Sequence, residues 1–303
     1  MTPPRVFTTA SELRRELARG GGAVGFVPTM GALHAGHLSL VRRAALENAR
    51  VVVSIFVNPT QFGEKKDFSA YPRDLRADRR LLAGGKPPLV YAPEAGDVYP
   101  PGFATALSVE GPLGRVLEAE FRPGHFTGVA TVVARLLALV RPQRAYFGLK
   151  DYQQFLVVRR LALDLDLPVE VIGCPIVRET DGLAMSSRNV RLGAQARAQA
   201  PALQRALLAA ASLAARGEGS CARLRQAGAR ILRGVPGLKL QYFEVADPET
   251  LLPLRRLDDP AVALAACVLG GVRLIDNLHL YPGPRPRAAR RAAPGQQRGT
   301  QHA

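Results

Sequence analysis

The chain has 303 residues, 47% of them apolar, and a mean hydropathy near zero, which allows one large or two smaller buried cores in a soluble globular protein. No apolar run approaches the ~18 residues of a membrane span, and the N-terminal MTPPRVFTTASELRREL lacks the apolar segment of a secretory signal. The net charge of +16 invites a nucleic-acid reading, but five arginines and no acid fall from Tyr281 onward, leaving about +11 scattered over the rest with no aromatic-rich basic stripe.

Residues 23–29 (AVGFVPT) predict a short buried strand, and 36–49 a helix with apolar positions at Leu38, Val41, Ala45 and Leu46. VVVSIFV at 51–57, closed by Asn58-Pro59, predicts a second buried strand. A helix near 73–83 and a strand at 88–91 follow, then a long apolar helix at 126–140 ended by Arg141-Pro142. Strands at 144–148 and 169–173 flank a helix at 151–164. This alternation predicts an α/β fold, a Rossmann-like parallel sheet with helices on both faces, over residues 1–178. From 179 to 281 the texture changes. Two Ala/Leu/Arg-rich helices, 194–216 (broken or kinked at Pro201) and 218–233, precede strands at 239–246, 262–268 and 272–280. These predict a smaller C-terminal α+β domain with an antiparallel sheet. Residues 282–303, rich in Pro, Gly, Arg and Gln, are expected to form a disordered basic tail. Cys174, Cys221 and Cys267 have no metal-site or redox spacing, so structural thiols in a reducing cytoplasm are expected.

Four segments fall where ligands gather in such a sheet, at the carboxyl ends of strands. The first is Pro28-Thr29-Met30-Gly31-Ala32-Leu33-His34-Ala35-Gly36-His37. His34 and His37 are three residues apart and share one side of a nascent helical turn. Gly36 lets a phosphate approach the backbone, and the helix N-terminus adds free N–H donors. One histidine alone would be an ordinary core or surface residue; two around a glycine at this point favour a phosphate site. The second is the run from Arg178 to Asn189, in which Asp181-Gly182 makes a turn and Ser186, Ser187 and Arg188 offer two hydroxyls and a fixed cation. Such a loop can close on a triphosphate, although a plain helix cap would look the same. The third is Phe147-Gly148-Leu149-Lys150-Asp151-Tyr152-Gln153-Gln154, where Lys150 suits a phosphoryl group and Asp151 is a ribose acceptor or only an N-cap.

The fourth segment, Ser54 to Gly63, carries Asn58 and Gln61. Gln61 and Gln154 could each donate an amide N–H to a hydroxy-acid; either alone is more often a loop hydrogen-bonder. Residues 67–73 with Tyr71, and 122–126 with Arg122 and His125, read as lid pieces or capped loops, His125 more as a structural cap than a general base. There is no Walker loop, no G-x-S-x-G elbow and no metal-ligand spacing.

Six motifs, PTMGALHAGH, VNPTQFG, the YPR segment, RPGHFTGV, FGLKDYQQ and DGLAMSSRN, stand in the order and spacing of the pantothenate synthetase family, with a looser likeness through 274–277 (LIDN). The likeness covers roughly residues 26–192; His-x-Gly-His alone would point only to the wider nucleotidyltransferase superfamily. Leu149 departs from the family, which usually carries an acid before the lysine, and the Arg-rich tail lies outside the family pattern. The resemblance implies that pantoate, ATP and β-alanine give pantothenate, AMP and pyrophosphate with Mg²⁺, in a cytoplasmic homodimer that binds neither nucleic acid nor membrane and whose C-terminal domain acts as a lid. It also implies that His34, His37, Lys150, Ser186, Ser187 and Arg188 stabilise the reacting phosphates. Met30, Gly31, Gly148, Leu149, Asp151, Val177 and Met185 complete the ATP contacts. Met30, Gln61 and Gln154 hold pantoate, Asn58 shapes that pocket, and Tyr71, Arg122 and His125 serve the β-alanine step. The rivals are a nucleotidyltransferase with the same His-x-Gly-His, which needs no amine acceptor, and a basic nucleic-acid module.

Overall fold

The computed structural model describes residues 2–63 and 65–283. Its first half runs β1 (Val6–Phe7), α1 (Ala10–Arg19), β2 (Val24–Thr29), α2 (Ala35–Glu47), β3 (Arg50–Ile55), α3 (Lys65–Ser69), α4 (Leu75–Leu82) and β4 (Leu89–Tyr91). It continues with α5 (Ala95–Val98), α6 (Glu118–Phe121), α7 (His125–Val140), β5 (Arg144–Gly148), α8 (Tyr152–Asp164) and β6 (Glu170–Cys174). The six strands pair in parallel in the order β1-β4-β3-β2-β5-β6. Strand order reverses between β2 and β5, so a crevice opens at their carboxyl ends.

The apolar runs behave as strands buried on both faces should. Phe26 and Val52 enter one core with Val129, Val133 and Leu156 of α7 and α8. Val27, Val51 and Val53 enter the core on the opposite face with Leu40 and Ala44 of α2. Alternate residues of one strand thus feed two cores.

The second half comprises α9 (Ala194–Gln199), α10 (Ala202–Ala215) and α11 (Cys221–Arg233), then β7 (Lys239–Ala246), β8 (Ala261–Leu269) and β9 (Val272–Leu280), the last three an antiparallel sheet. Pro201 divides α9 from α10, as its missing N–H requires. Even-numbered residues of β9 (Val272, Leu274, Leu280) join a separate core with α10 and α11. Its odd-numbered face meets the first half: Arg273 reaches Glu118, Asn277 reaches the 149–150 turn, and the His279 ring packs on Tyr152. The three cysteines are buried free thiols. Most of the predicted tail lies outside the described residues, but Gly283 is held, its N–H donating to Ala214 O at 3.1 Å.

The strand β1 and helix α1 are additions to the sequence reading. The helix has a capping box between Thr9 and Glu12 and buries Leu13 completely. The two-residue strand pairs with β4 and is too short to show any periodicity.

Candidate active site

The crevice between β2 and β5 opens into a cleft at the point where ligands gather in such sheets. Its wall includes Met30, His34, His37, Asn58, Gln61, Tyr71, Arg122 and His125 from the first half of the chain. Gly148, Lys150, Asp151, Gln154, Val177, Met185, Ser186, Ser187 and Arg188 complete it. Two expected residues are not on that wall. Gly31 sits behind it with φ +78°, shaping the turn after β2. Leu149 turns away into the core, its side chain packed where a Cβ on Gly173 would lie, close to Phe155. Its apolar side chain therefore leaves the field of the cleft to Lys150 and Asp151.

The turn that presents the histidines is built from long-range bonds. Thr29 Oγ1 donates to Ser54 O (2.7 Å) and accepts from Gly31 N–H (3.1 Å), joining the ends of β2 and β3. Asp78 on α4 is buried and accepts from the N–H groups of Ala32 (3.1 Å) and Leu33 (2.8 Å). These bonds hold Gly31 and Ala32 in left-handed conformations. Nothing in the local sequence pointed to Asp78, because its partners lie 46 and 45 residues away.

His34 caps α2, accepting Gly36 N–H at Nδ1 (3.2 Å), and His37 Nδ1 accepts His34 N–H (3.4 Å). A Cβ on Gly36 would lie 2.9 Å from the His34 ring, so this close packing needs glycine. Burial, reinforced by Lys150, holds His34 down to about 4; burial and then His34 hold His37 down to about 3. Both rings are neutral at pH 7. With Nδ1 accepting, each carries its proton on Nε2 and offers one neutral donor. The same shifts set a pH response. A histidine whose folded pKa is depressed contributes stability that is complete above about 6.5 and fades as pH falls toward the folded value. Unfolding free energy is therefore expected to be flat from about pH 7.5 to 6.5 and to fall between 6.5 and 4.5, above most carboxylate titration. Urea titrations at each pH should show a shallower fall in His37→Asn; an unchanged slope would refute the shift.

Beyond the histidines, Lys150 Nζ lies 3.7 Å from Asp151 Oδ1, whose side chain is half exposed. Burial opposes the Asp151 charge, but Lys150, Arg188 and Arg122 outweigh it and hold the carboxyl below its ordinary range. Asp151 occupies the N-cap position of α8 but makes no side-chain cap bond there. Opposite, residues 177–185 form a small hairpin through the Arg178–Ala184 bridge and Met185 N–H to Val177 O (3.0 Å). It delivers Ser186, Ser187 and Arg188 to the rim. Ser187 Oγ lies 3.2 Å from Tyr71 Oη. Arg188 sits over the rings of Phe62 and Tyr71 and donates to Asp67 (2.9 Å), which also receives Arg191 (2.6 Å).

At the other end, Gln61 Nε2 is 3.2 Å from Met30 Sδ, and Gln61 Oε1 accepts from Asn58 Nδ2 (3.0 Å). Asn58 also donates to Gly128 O (3.1 Å) and accepts from Tyr99 Oη (2.7 Å). It is fully buried, its side-chain amide committed to these bonds. Val129, Val132 and Val133 of α7 line the apolar floor. His125 Nδ1–H donates to Gln61 O (2.9 Å) and its Nε2 accepts from Arg122 (3.0 Å). Burial and Arg122 hold it neutral, down to about 4. Both nitrogens are committed, which fits a brace and not a base; the brace is a cross-link, not the helix cap the sequence suggested. No role was read for Gly128 or Val129, although both lie in the RPGHFTGV motif, because helix α7 looked like plain core; Tyr99, just after α5, stands 41 residues from its partner Asn58.

Residues 5–279 match the family model described as pantoate-beta-alanine ligase. The pantothenate synthetase of Thermus thermophilus is 56% identical over 278 residues, covering 92% of this chain and 100% of that one. That of Roseiflexus sp. RS-1 is 52% identical over 273 residues, covering 90% and 98%. Among solved structures, pantothenate synthetase from Thermus thermophilus superposes with a TM-score of 0.88 at 55% identity, covering 92% of this chain and 100% of that one. The Francisella tularensis pantoate-beta-alanine ligase, complexed with beta-gamma ATP and beta-alanine, superposes with a TM-score of 0.75 at 33% identity, covering 91% and 97%.

Proposed function

From the premise that the chain belongs to the pantoate–β-alanine ligase family and condenses pantoate with β-alanine at the expense of ATP, we propose how its residues divide that work. The observation that carries the proposal is the meeting, at one sheet edge, of two neutral Nε2–H donors, Lys150 and the Ser186–Ser187–Arg188 loop beside a pocket floored by valines. Pantoate carboxylate attacks the α-phosphorus of ATP in line, pyrophosphate leaves, and pantoyl adenylate remains. Charge grows on the phosphate oxygens, and preorganised donors are worth most where charge develops. His34 and His37 supply neutral donors, and Lys150 and Arg188 supply cations. For Arg188 this means exchanging the Asp67 carboxylate for phosphate. Gly148, Asp151, Val177 and Met185 border the nucleoside.

Met30, Gln61 and Gln154 orient pantoate without an ion pair that would quench its nucleophilicity. The β-alanine amine then attacks the acyl carbonyl and AMP departs, with Arg122 placed to meet an incoming carboxylate. Tyr71 lines the same second half of the site, and His125 serves it by holding Gln61 and Arg122. Mg²⁺ would enter on the triphosphate: its preferred donors are phosphate oxygens and water, Asp151 is the one carboxylate on the described wall, and no three-residue metal cluster forms among the described residues. A division near residue 178, with the C-terminal unit as lid, belongs to the same proposal, supported by that unit's own core. So do a homodimer and a cytoplasmic location, by family likeness; no single described helix is long and apolar enough to cross a membrane.

Pyrophosphate exchange that requires pantoate, with pantoyl adenylate seen by mass and pantothenate appearing after β-alanine is added, is the expected result. Exchange indifferent to pantoate would favour the nucleotidyltransferase reading. The pocket's packing adds a second expectation. A Cβ on Gly128 would lie 2.5 Å from Thr60 O and 2.8 Å from Gln61 N, both backbone atoms. Gly128→Ala must push the Gln61 turn outward. Pantoate KM is expected to rise about tenfold and stability to fall by ~1–3 kcal/mol, with KM for ATP little changed. Initial-rate kinetics with each substrate varied decides it.

A further inference from the structure

We propose that Asn277, on the strand farthest in sequence from the phosphate-binding loops, is a positioning residue for Lys150. The inference rests on the assignment of Lys150 to phosphate given above. Asn277 is 4% exposed and lies on the face of β9 that meets the first half of the chain. Its Nδ2 donates to Leu149 O (2.8 Å) and to Lys150 O (3.1 Å), so both amide hydrogens are spent on consecutive carbonyls of one turn. That turn, a single 3-10 segment of residues 149–151, carries Lys150 into the cleft between β5 and α8.

The backbone that carries this side chain is held as well. The carboxylate of the preceding Asp276 accepts from Asn277 N–H (2.8 Å) and takes Arg178 in a bidentate pair at 2.6 and 3.0 Å. Arg178 also donates to Gly182 O (3.0 Å), inside the hairpin that carries the Ser186 loop. Neighbouring side chains of one strand therefore brace, from behind, the two backbone segments that grip phosphate from opposite sides. Lys150 is a flexible point charge, so where its ammonium can reach is set by where its backbone is fixed. A turn released from Asn277 would still fold but would hold the ammonium less well, and misplacement by about 1 Å can cost a hundredfold in rate.

The test is a double-mutant cycle on the full-length enzyme, read as pantoate-dependent pyrophosphate exchange, with melting midpoints measured alongside. Asn277→Ala is expected to lower kcat by about a hundredfold with pantoate KM little changed. In the Lys150→Ala background the same substitution should cost less than about twofold, because the residue it positions is gone. Equal losses in both backgrounds, or near-normal turnover in Asn277→Ala, would overturn the proposal. Should Asn277→Ala fail to fold, Asn277→Leu, which removes both donors at similar volume and adds no charge, takes its place in the same cycle. Near-normal exchange in Lys150→Ala alone would instead refute the phosphate role of Lys150, a failure distinguishable from additivity in the cycle.

Discussion

Lys150→Ala is expected to lower the turnover of pantoate-dependent pyrophosphate exchange by about a hundredfold to a thousandfold, with pantoate KM moving by less than about threefold. The size follows from position. The Lys150 side chain is 20% exposed, on a cleft whose other cations are committed elsewhere before nucleotide arrives: Arg188 to Asp67, and Arg122 to Glu118 and His125. Its one close carboxylate, Asp151, is 3.7 Å away and half exposed, a weak competitor for a triphosphate. The small effect on pantoate follows from the proposed division of roles, in which Met30 and Gln61, joined to each other from the turns after β2 and β3, help hold that substrate. Lys150→Arg should restore little, because a planar fork on a longer stem does not reproduce a compact ammonium. Steady-state kinetics settles the matter: turnover within about tenfold of the parent would show that Lys150 does not meet the charge of the transition state.

The parts of this molecule that could be read from sequence are those whose signal is local. Val51, Val52 and Val53 alternate between two cores and appear as one β-branched run because both sheet faces are covered. The His34–Gly36–His37 turn is compact enough for its geometry to follow from spacing, although the neutral Nε2–H tautomer emerges only from the bonds at Nδ1. Leu149 shows the limit of composition. It stands where the family usually carries an acid, yet its side chain packs toward Gly173 and leaves the cleft. The roles of Asp78, Gly128 and Asn277 were illegible for one shared reason, although the last two lie in the RPGHFTGV and LIDN segments. Their roles consist of contacts to groups 46, 70 and 128 residues away, and no window of sequence holds both partners. Membership of the family brings the motifs together; only packing says what holds them there.

Glu118→Ala is expected to lower the unfolding free energy by about 3–5 kcal/mol, a large share of what keeps a typical domain folded. Glu118 is 6% exposed and receives Arg273 at both oxygens (2.6 Å each) and Tyr242 Oη at 2.7 Å. Arg122 lies 3.7 Å away. Burial pushes the Glu118 carboxyl up, but Arg273 outweighs it, so the group stays ionised below its ordinary range. Its contribution is therefore present above about pH 4.5 and is lost as pH falls through the folded value. Truncation leaves two guanidiniums partly buried without their anion, and Arg122 is already depressed by burial. The expected loss comes from that stranded charge and not from the intrinsic worth of the pair. Replacing both Glu118 and Arg273 by methionine should thus recover most of it, to within about 2 kcal/mol of the parent. Urea unfolding of the three proteins separates the cases. If the double variant is no better than Glu118→Ala, the cluster is intrinsically stabilising; if Glu118→Ala loses under about 1 kcal/mol, solvent reaches the site and the docking of β9 on the parallel-sheet half rests on Asn277 and His279 instead.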